Sequence, residues 1–425
     1  MSNQYTRGSE WRRWDLHVHT PSTKKNDCFS GSTEEEKWDN FYQSISDYIG
    51  DGTDPLKSVC AIGITDYLSI ENYLKVRDDG RLPTSVKLVL PNVELRATPI
   101  ANNSALNIHC IFNPDIVDQL DARFFGRLKI EYDGNEYGAT SADLVRLGRA
   151  FRGDQTLDEE VALQAGLEQY VIPHNMLSDI FKGNQDLRDN TIIIVSNKST
   201  DGASGVTRHS EYLEGDISIL DATRRGIYQF SDMIFSSNSS DIDYFLGNGS
   251  DDKGTVKSKC GALMPCVHGS DAHTNDKIFK PDQNRFCWIK ADPTFEGLKQ
   301  VLYEPKERVR ISATYPEEKQ GYHIIDRVEI VDNEDFDPQP IYFSDNLTCI
   351  IGGKSTGKSL LLHNMALAIA PKQVELKEKE APTNVKQVSQ LKIYWRDGAC
   401  SDGQDGTHKV VYSRVEKHRL VTFLW

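Results

Sequence analysis

Along the first three-quarters of the chain, short apolar runs alternate with polar loops and amphipathic stretches. The first run is Trp14-Asp15-Leu16-His17-Val18-His19-Thr20. Strand side chains alternate faces with a period of two. His17 and His19 are therefore expected on one face, with Leu16 and Val18 on the other in apolar packing. A polar loop over 21–33 leads to a predicted helix at Glu34–Ile49. Val59–Asp66 reads as a buried parallel strand ending in a carboxylate. Val86–Glu94 ends the same way, Leu106–Phe112 carries His109 within it, and Tyr170–Asn175 ends in His174. The last run, Met264–His273, ends in Asp271-Ala272-His273. Helical patterns lie between them at Ser141–Arg152 and Leu157–Gln169.

Strands alternating with helices predict parallel βα units. Barrels built this way place their chemistry at the carboxyl ends of the strands. Polar and glycine-rich stretches read as loops: Ser196–Glu214, holding Lys198, Arg208 and His209, and Ser236–Lys259. With Arg224 and Arg225, the first of these suits a phosphate-gripping rim as well as it suits solvated surface. Polar composition at Ala313–Tyr322 marks a boundary between a domain over 10–315 and another over 322–425. In the second, a strand begins at Ile324 and Asn333–Pro340 is an acidic turn. Leu347–Ile351 then reads as a strand running into Gly352-Gly353-Lys354-Ser355-Thr356-Gly357-Lys358-Ser359, with a helix from Ser359 to Ala370 stopped by Pro371. Lys372–Gln390 is charged and solvated, and strands are expected at Lys392–Trp395 and Lys409–Tyr412.

At 425 residues the chain is long enough for two domains, and its hydrophobic and charged fractions, 38% and 26%, are those of a globular protein. The net charge of -14 argues against a general electrostatic grip on nucleic acid, although a local basic rim remains compatible with it. There is no signal-peptide pattern and no apolar run of bilayer-spanning length, so no membrane association is expected. The eight cysteines are scattered without CxxC spacing, as expected for reduced thiols in the cytoplasm.

Paired imidazoles at a strand end are poor core material, but neutral imidazole nitrogen is a common ligand for zinc and its neighbours. The other runs repeat the pattern with His, Asp or Glu at or near their ends. The glycines of the later motif, Gly352, Gly353 and Gly357, let backbone amides close on phosphate oxygens at a helix N-terminus. Lys358 would reach the β- and γ-phosphates and Ser359 would ligate Mg²⁺. No apolar strand ending in Asp-Glu and no LSGGQ-like segment follows. The nucleotide domain therefore reads as partial. His323, His363, His408 and His418 have no evident partners and are expected to be structural or on the surface.

The first domain resembles the PHP (polymerase and histidinol phosphatase) superfamily. The resemblance implies a distorted (β/α)7 barrel that holds two or three divalent ions, Mn, Zn or Fe, for phosphoester hydrolysis. By this resemblance the HxH motif is His17 and His19, the second-motif aspartate is Asp66, and the bridging glutamate is Glu94. The later ligands are His109, His174, Asp271 and His273. Tyr67 stands where the family usually has a histidine ligand, and Asp27, beside Asn26, is a candidate loop ligand. The whole chain resembles the TrlF-type proteins, which join a PHP domain to an AAA/SMC-like ATPase. The supporting stretches are Trp14–Ser22, Thr200–Asp216, His268–His273, Trp288–Pro305 and Ile350–Leu361, within roughly residues 10 to 400. Relatives of this type continue further, so the chain looks like a truncated or frame-shifted member.

The expected function is a metal-dependent phosphoesterase with His17, His19, Asp66, Glu94 and Asp271 in the catalytic centre. Its substrates would be nucleotides or nucleic-acid ends, in nucleic-acid processing or defence. The partner P-loop domain of the ABC/SMC type would bind ATP with Mg, and full-length relatives would dimerise through it. The alternatives are a small-molecule phosphomonoesterase and a nucleotide sensor with a degenerate barrel site, the latter suggested by Tyr67.

Overall fold

The computed structural model describes residues 7–101, 104–197, 217–317, 319–330, 339–380, 382, 385, 390–404 and 407–410. Lys198, Arg208, His209, all of Thr200–Asp216, residues 411–425 and most of the acidic turn lie outside them. The chain forms two compact units, one spanning Trp11–Pro316 and one grouping Met1–Glu10 with Glu317–Trp425. No helix among the described residues is long and apolar enough to cross a membrane. None of the eight cysteines is in a disulfide.

The larger unit is mixed α/β. Its strands are β1 (Trp11–Val18), β2 (Val59–Tyr67), β3 (Leu88–Ala101), β4 (Ser104–Phe112), the hairpin β5 (Lys129–Tyr132) and β6 (Asn135–Gly138), β7 (Thr191–Ser196), β8 (Met233–Phe235), β9 (Cys266–Val267), β10 (Phe286–Lys290) and β11 (Val309–Ser312). Apart from the hairpin they make one sheet in the order β11-β10-β1-β2-β3-β4-β7-β8-β9. The sheet curls until the chain after β9 returns to β1. Val18 bridges Ala272, the Asp271 N–H donates to the His17 carbonyl at 2.9 Å, and the His19 N–H donates to the Ala272 carbonyl at 3.2 Å. The result is a nearly closed, barrel-like sheet.

Apolar residues sort to its two faces. Trp14, Leu16, Leu90, Ile111, Ile194 and Met233 form an inner cluster, into which Phe295 and Leu298 of the helix Phe295–Gln300 also pack. Val18, Ile62, Val93, Cys110 and Val195 pack outward against helical residues such as Phe41, Ile45 and Leu144. The helix Glu34–Ile49 forms with the boundaries its pattern predicts, opened by Thr33, whose side chain accepts the Glu36 N–H. Ser141–Arg152 does likewise from Thr140.

Several expectations change. β4 is antiparallel to both β3 and β7, so the sheet is not uniformly parallel. His109 therefore sits within an opposed strand and not at the carboxyl end of a parallel one. Tyr170–Asn175 makes no strand. Ile172 forms a single bridge to Ala97, and His174 opens the helix His174–Lys182 behind Pro173. Proline fixes φ and favours a helix entry there. The supposed loop 236–259 contains the helices Ser239–Phe245 and Lys253–Cys260, started by the side-chain caps of Asn238 and Asp252.

The smaller unit has a five-stranded antiparallel sheet of β12 (Ile325–Ile330), β13 (Ile341–Tyr342), β14 (Gln390–Trp395), β15 (Cys400–Gln404) and β16 (Thr407–Val410), in the order β13-β12-β14-β15-β16. Leu361, Met365 and Ala368 of the helix Lys358–Ile369 pack on Val328, Ile393 and Trp395. The strand expected at Leu347–Ile351 does not form, and Leu347 and Ile351 are 77% and 89% exposed. A central strand needs neighbours for its backbone groups, and none of the described strands flanks this segment.

Candidate metal centre

The centre begins where β1 leaves regular pairing. Its register against β2 moves from Asp15↔Ile62 to Val18↔Ile64, which places one extra residue in β1. Such a bulge bends a strand and re-aims its side chains. Leu16 consequently joins the inner cluster and Val18 the outer one, which corrects the expectation that they share a face. His17 and His19 still converge, with their Nε2 atoms 3.1 Å apart. Two glycines permit the close backbone approach: a Cβ at Gly63 would lie 2.4 Å from the Leu16 carbonyl oxygen, and one at Gly269 would lie 2.5 Å from the His17 nitrogen.

Glu94 arrives from β3, with His109 directly opposite it on β4. Glu94 Oε2 lies 3.6 Å from Nε2 of both His17 and His19. Its other oxygen accepts the Asn107 side-chain amide at 2.7 Å. Asp271 adopts a left-handed φ of 49° just after β9. Its Oδ1 lies 3.2 Å from His17 Nε2 and 3.5 Å from Nε2 of both His19 and His273. The His273 ring stacks on His19 at 3.9 Å. Two sets of potential ligands share His19: His17, His19 and Glu94, and His19, Asp271 and His273.

Burial and charge oppose each other here. Burial disfavours a proton on His17, but Asp271 and Glu94 outweigh it and lift the pKa to about 9. Burial together with the neighbouring imidazoles holds His19 down to about 4. His109 falls to about 3, chiefly through burial and then through His17. Burial would raise Glu94 and Asp271, yet the surrounding histidines bring Glu94 to about 2 and hold Asp271 well below the usual carboxylate range.

The donor set fits divalent cations. Glu94 Oε2 and His109 Nε2 are buried and have no hydrogen-bond partner among the described residues, an arrangement that is costly unless something else satisfies them. The Asn92 amide nitrogen donates to the Leu16 carbonyl and to Thr65 Oγ1, both at 2.9 Å, which fixes Asn92 Oδ1 as an acceptor. That oxygen lies 3.2 Å from His109 Nδ1. The proton therefore belongs on Nδ1, and His109 Nε2 keeps its lone pair for a cation.

Other sequence candidates are not members of these two sets. Asp66 is buried at the end of β2, where its carboxylate takes the backbone N–H groups of Tyr67 and Asn72. Burial raises its pKa to about 6. His174 is half-buried and pairs with Thr98. Asp27 accepts the N–H groups of Ser22 and Phe29 and pairs with Lys37 at 2.9 Å, so it organises its own loop. The Tyr67 ring stacks on His19 at 5.2 Å. His363 is buried 3.6 Å from Glu378. Sequence reasoning missed Asp15, Asn92 and Asn107. Asn92 lies two residues before Glu94, so strand alternation puts both on one face, a signal that was available.

Beside the centre opens a cavity of about 300 Å³, whose lining includes His17, Asp271, His273, Lys277, Asp282 and Arg285. The fold and the site thus define a barrel-like α/β unit with a buried histidine–carboxylate centre at one end of its strands.

No family model and no curated protein matches the sequence. A solved protein of Bifidobacterium adolescentis, whose assignment as a metal-dependent phosphoesterase is provisional, is similar at 13% identity. The match covers 69% of this chain and 97% of that one, with a TM-score of 0.28. A superposition that loose carries no functional argument, so the chemistry of the centre has to.

Proposed function

We propose that the larger unit is a metal-dependent phosphoesterase acting on nucleotides or nucleic-acid ends. The observation that carries this reading is the buried Glu94 Oε2, which has no hydrogen-bond partner among the described residues and lies 3.6 Å from His17 and His19, with the lone pair of His109 on the opposite strand. His17, His19, Glu94, Asp271 and His273 would hold the cations, with His109 completing the set. Bound divalent ions make a water nucleophilic at neutral pH and stabilise charge on an attacked phosphate. The carboxylates keep the site acceptor-rich, and Asn92 and Asn107 fix the directions of His109 and Glu94. The nucleotide preference rests on the P-loop sequence in the same chain.

The reading extends to the smaller unit as a site for ATP with Mg. Gly357, at φ +85°, starts the helix Lys358–Ile369, and Lys358 Nζ folds back onto the carbonyl oxygens of Gly352, at 2.8 Å, and Gly353. That lysine is thereby held across the loop whose amides would cradle phosphate. Ser359 is the second residue of that helix and the expected Mg ligand.

Elemental analysis of the purified chain, combined with a phosphoester panel, tests the barrel reading. Transition metal should co-purify with the wild type, and activity and metal should both fall in the His17→Ala/His19→Ala double variant. A double variant with full activity and full metal content would overturn the assignment.

A further inference from the structure

The lining of the cavity beside the metal centre carries further charge. Lys277 Nζ pairs with Asp282 Oδ1 at 2.9 Å, and Arg285 also lies within electrostatic reach of the Asp282 carboxylate. Arg285 Nε donates to the Asp282 backbone carbonyl at 3.2 Å, and its two terminal nitrogens have no partner among the described residues. Arg285 is half-buried and lines the same cavity as His17 and Asp271. The chain reaches it through Gln283 and Asn284, two consecutive residues with φ of 60° and 54°. Backbone strain of this kind persists where the surroundings require it and concentrates around functional sites. Here it fixes the direction in which Arg285 leaves the chain just before β10. In a protein of net charge -14, a half-buried guanidinium whose terminal donors are free in the cavity that also holds His17 and Asp271 needs an explanation.

We propose that Arg285 is the phosphate-recognition residue of this cavity and that it selects phosphomonoesters over phosphodiesters. The argument rests on the phosphoesterase reading of the neighbouring centre. A guanidinium offers two parallel N–H donors that match two phosphate oxygens. A monoester has three terminal oxygens, enough to face the metal centre and the guanidinium together. An internal diester has only two non-bridging oxygens and carries one charge fewer. The preferred substrates are therefore terminal phosphates, on a free nucleotide or at a strand end, and internal linkages are poor ones.

Two measurements on the full chain test this. The first is binding of inorganic phosphate to Mn²⁺-supplemented protein, read by calorimetry for wild type, Arg285→Ala and Arg285→Lys. The second is hydrolysis of p-nitrophenyl phosphate and of bis-p-nitrophenyl phosphate. Arg285→Ala should weaken phosphate binding and raise KM for the monoester by about tenfold or more, the scale of a lost charged hydrogen bond. It should change diester turnover much less and leave metal content unaltered, and Arg285→Lys should recover part of the loss. Unchanged phosphate affinity in Arg285→Ala, equal losses on both esters, or no phosphate binding by the wild type would each overturn the proposal. Phosphate binding that depends on Arg285 in a protein that cleaves neither ester would instead overturn the phosphoesterase reading and leave the anion site standing.

Discussion

The Asp15 carboxylate accepts the backbone N–H of Ser270 at 2.9 Å, and the same oxygen accepts that of His17 at 3.3 Å. One buried side chain thus joins the strand carrying His17 and His19 to the loop carrying Asp271 and His273. Asp15→Ala would leave two buried N–H groups unsatisfied, at about 1–3 kcal/mol each. We expect lower thermal stability and, by analogy with other residues that orient ligands, metal affinity weakened about 10–100-fold. Melting curves with and without chelator, together with metal titration, check both. Wild-type metal affinity in Asp15→Ala would show that the two segments keep their spacing without it.

Asn92 performs the equivalent task for His109. Asn92→Leu removes the acceptor that fixes the imidazole tautomer and the donors to Leu16 and Thr65. The expected outcome is a changed His109 ring-nitrogen resonance and weaker metal binding. A ring-nitrogen spectrum identical to wild type would mean that something else sets the tautomer.

The contact between helices Ser141–Arg152 and Glu159–Gln169 depends on two glycines. A Cβ at Gly166 would sit 1.9 Å from the Leu144 carbonyl oxygen, and one at Gly148 would sit 1.9 Å from that of Ala162. Either alanine must push the helices apart, so each should destabilise by about 1–3 kcal/mol or more. Gly226→Ala, where nothing lies within 4 Å, should be neutral or slightly stabilising. Denaturant midpoints compare the three. A Gly166→Ala midpoint equal to that of Gly226→Ala would contradict the close crossing.

For the smaller unit, weak ATP binding without meaningful turnover is expected. On the proposed reading the loop and Lys358 would hold phosphates, but hydrolysis also needs a carboxylate and an aligned water. Phosphate release from ATP should stay at background in the wild type and in Lys358→Ala. Turnover lost in Lys358→Ala but kept in the His17/His19 double variant would reveal a catalytic carboxylate that the sequence reading overlooked.

Much of the larger unit was legible in its sequence because the local signals were strong. The caps of Glu34–Ile49 and Ser141–Arg152 and the apolar runs of β2 and β3 lie close to where pattern reading puts them. Strand direction was not legible. Leu106–Phe112 reads the same in either orientation, and only the tight return from β3 makes β4 antiparallel. That His17 and His19 share a site was expected from period two and Glu94 from the family resemblance, whereas the bulge that separates Leu16 from Val18 depends on pairing with β2. Asp66 and His174 show a different limit. A polar residue at a strand end can serve a backbone N–H or begin a helix as readily as it can bind an ion, and both of these do so. Leu347–Ile351 has strand-like composition, but composition cannot supply the neighbouring strands.

The join between β1 and the chain after β9 is a short one in the curled sheet. It consists of one bridge, the two backbone hydrogen bonds at His17 and His19 and the Asp15–Ser270 hydrogen bond, whereas β2–β3, β3–β4 and β4–β7 share longer ladders. His17 and His19 lie on one side of this join and Asp271 and His273 on the other. Any ion gripped by both pairs acts as a rivet across the seam. Its binding energy then adds directly to the work needed to part the sheet there. Stripping the ion should therefore loosen the protein first at this seam, exposing Trp14 and Leu16 while the helical layer still holds.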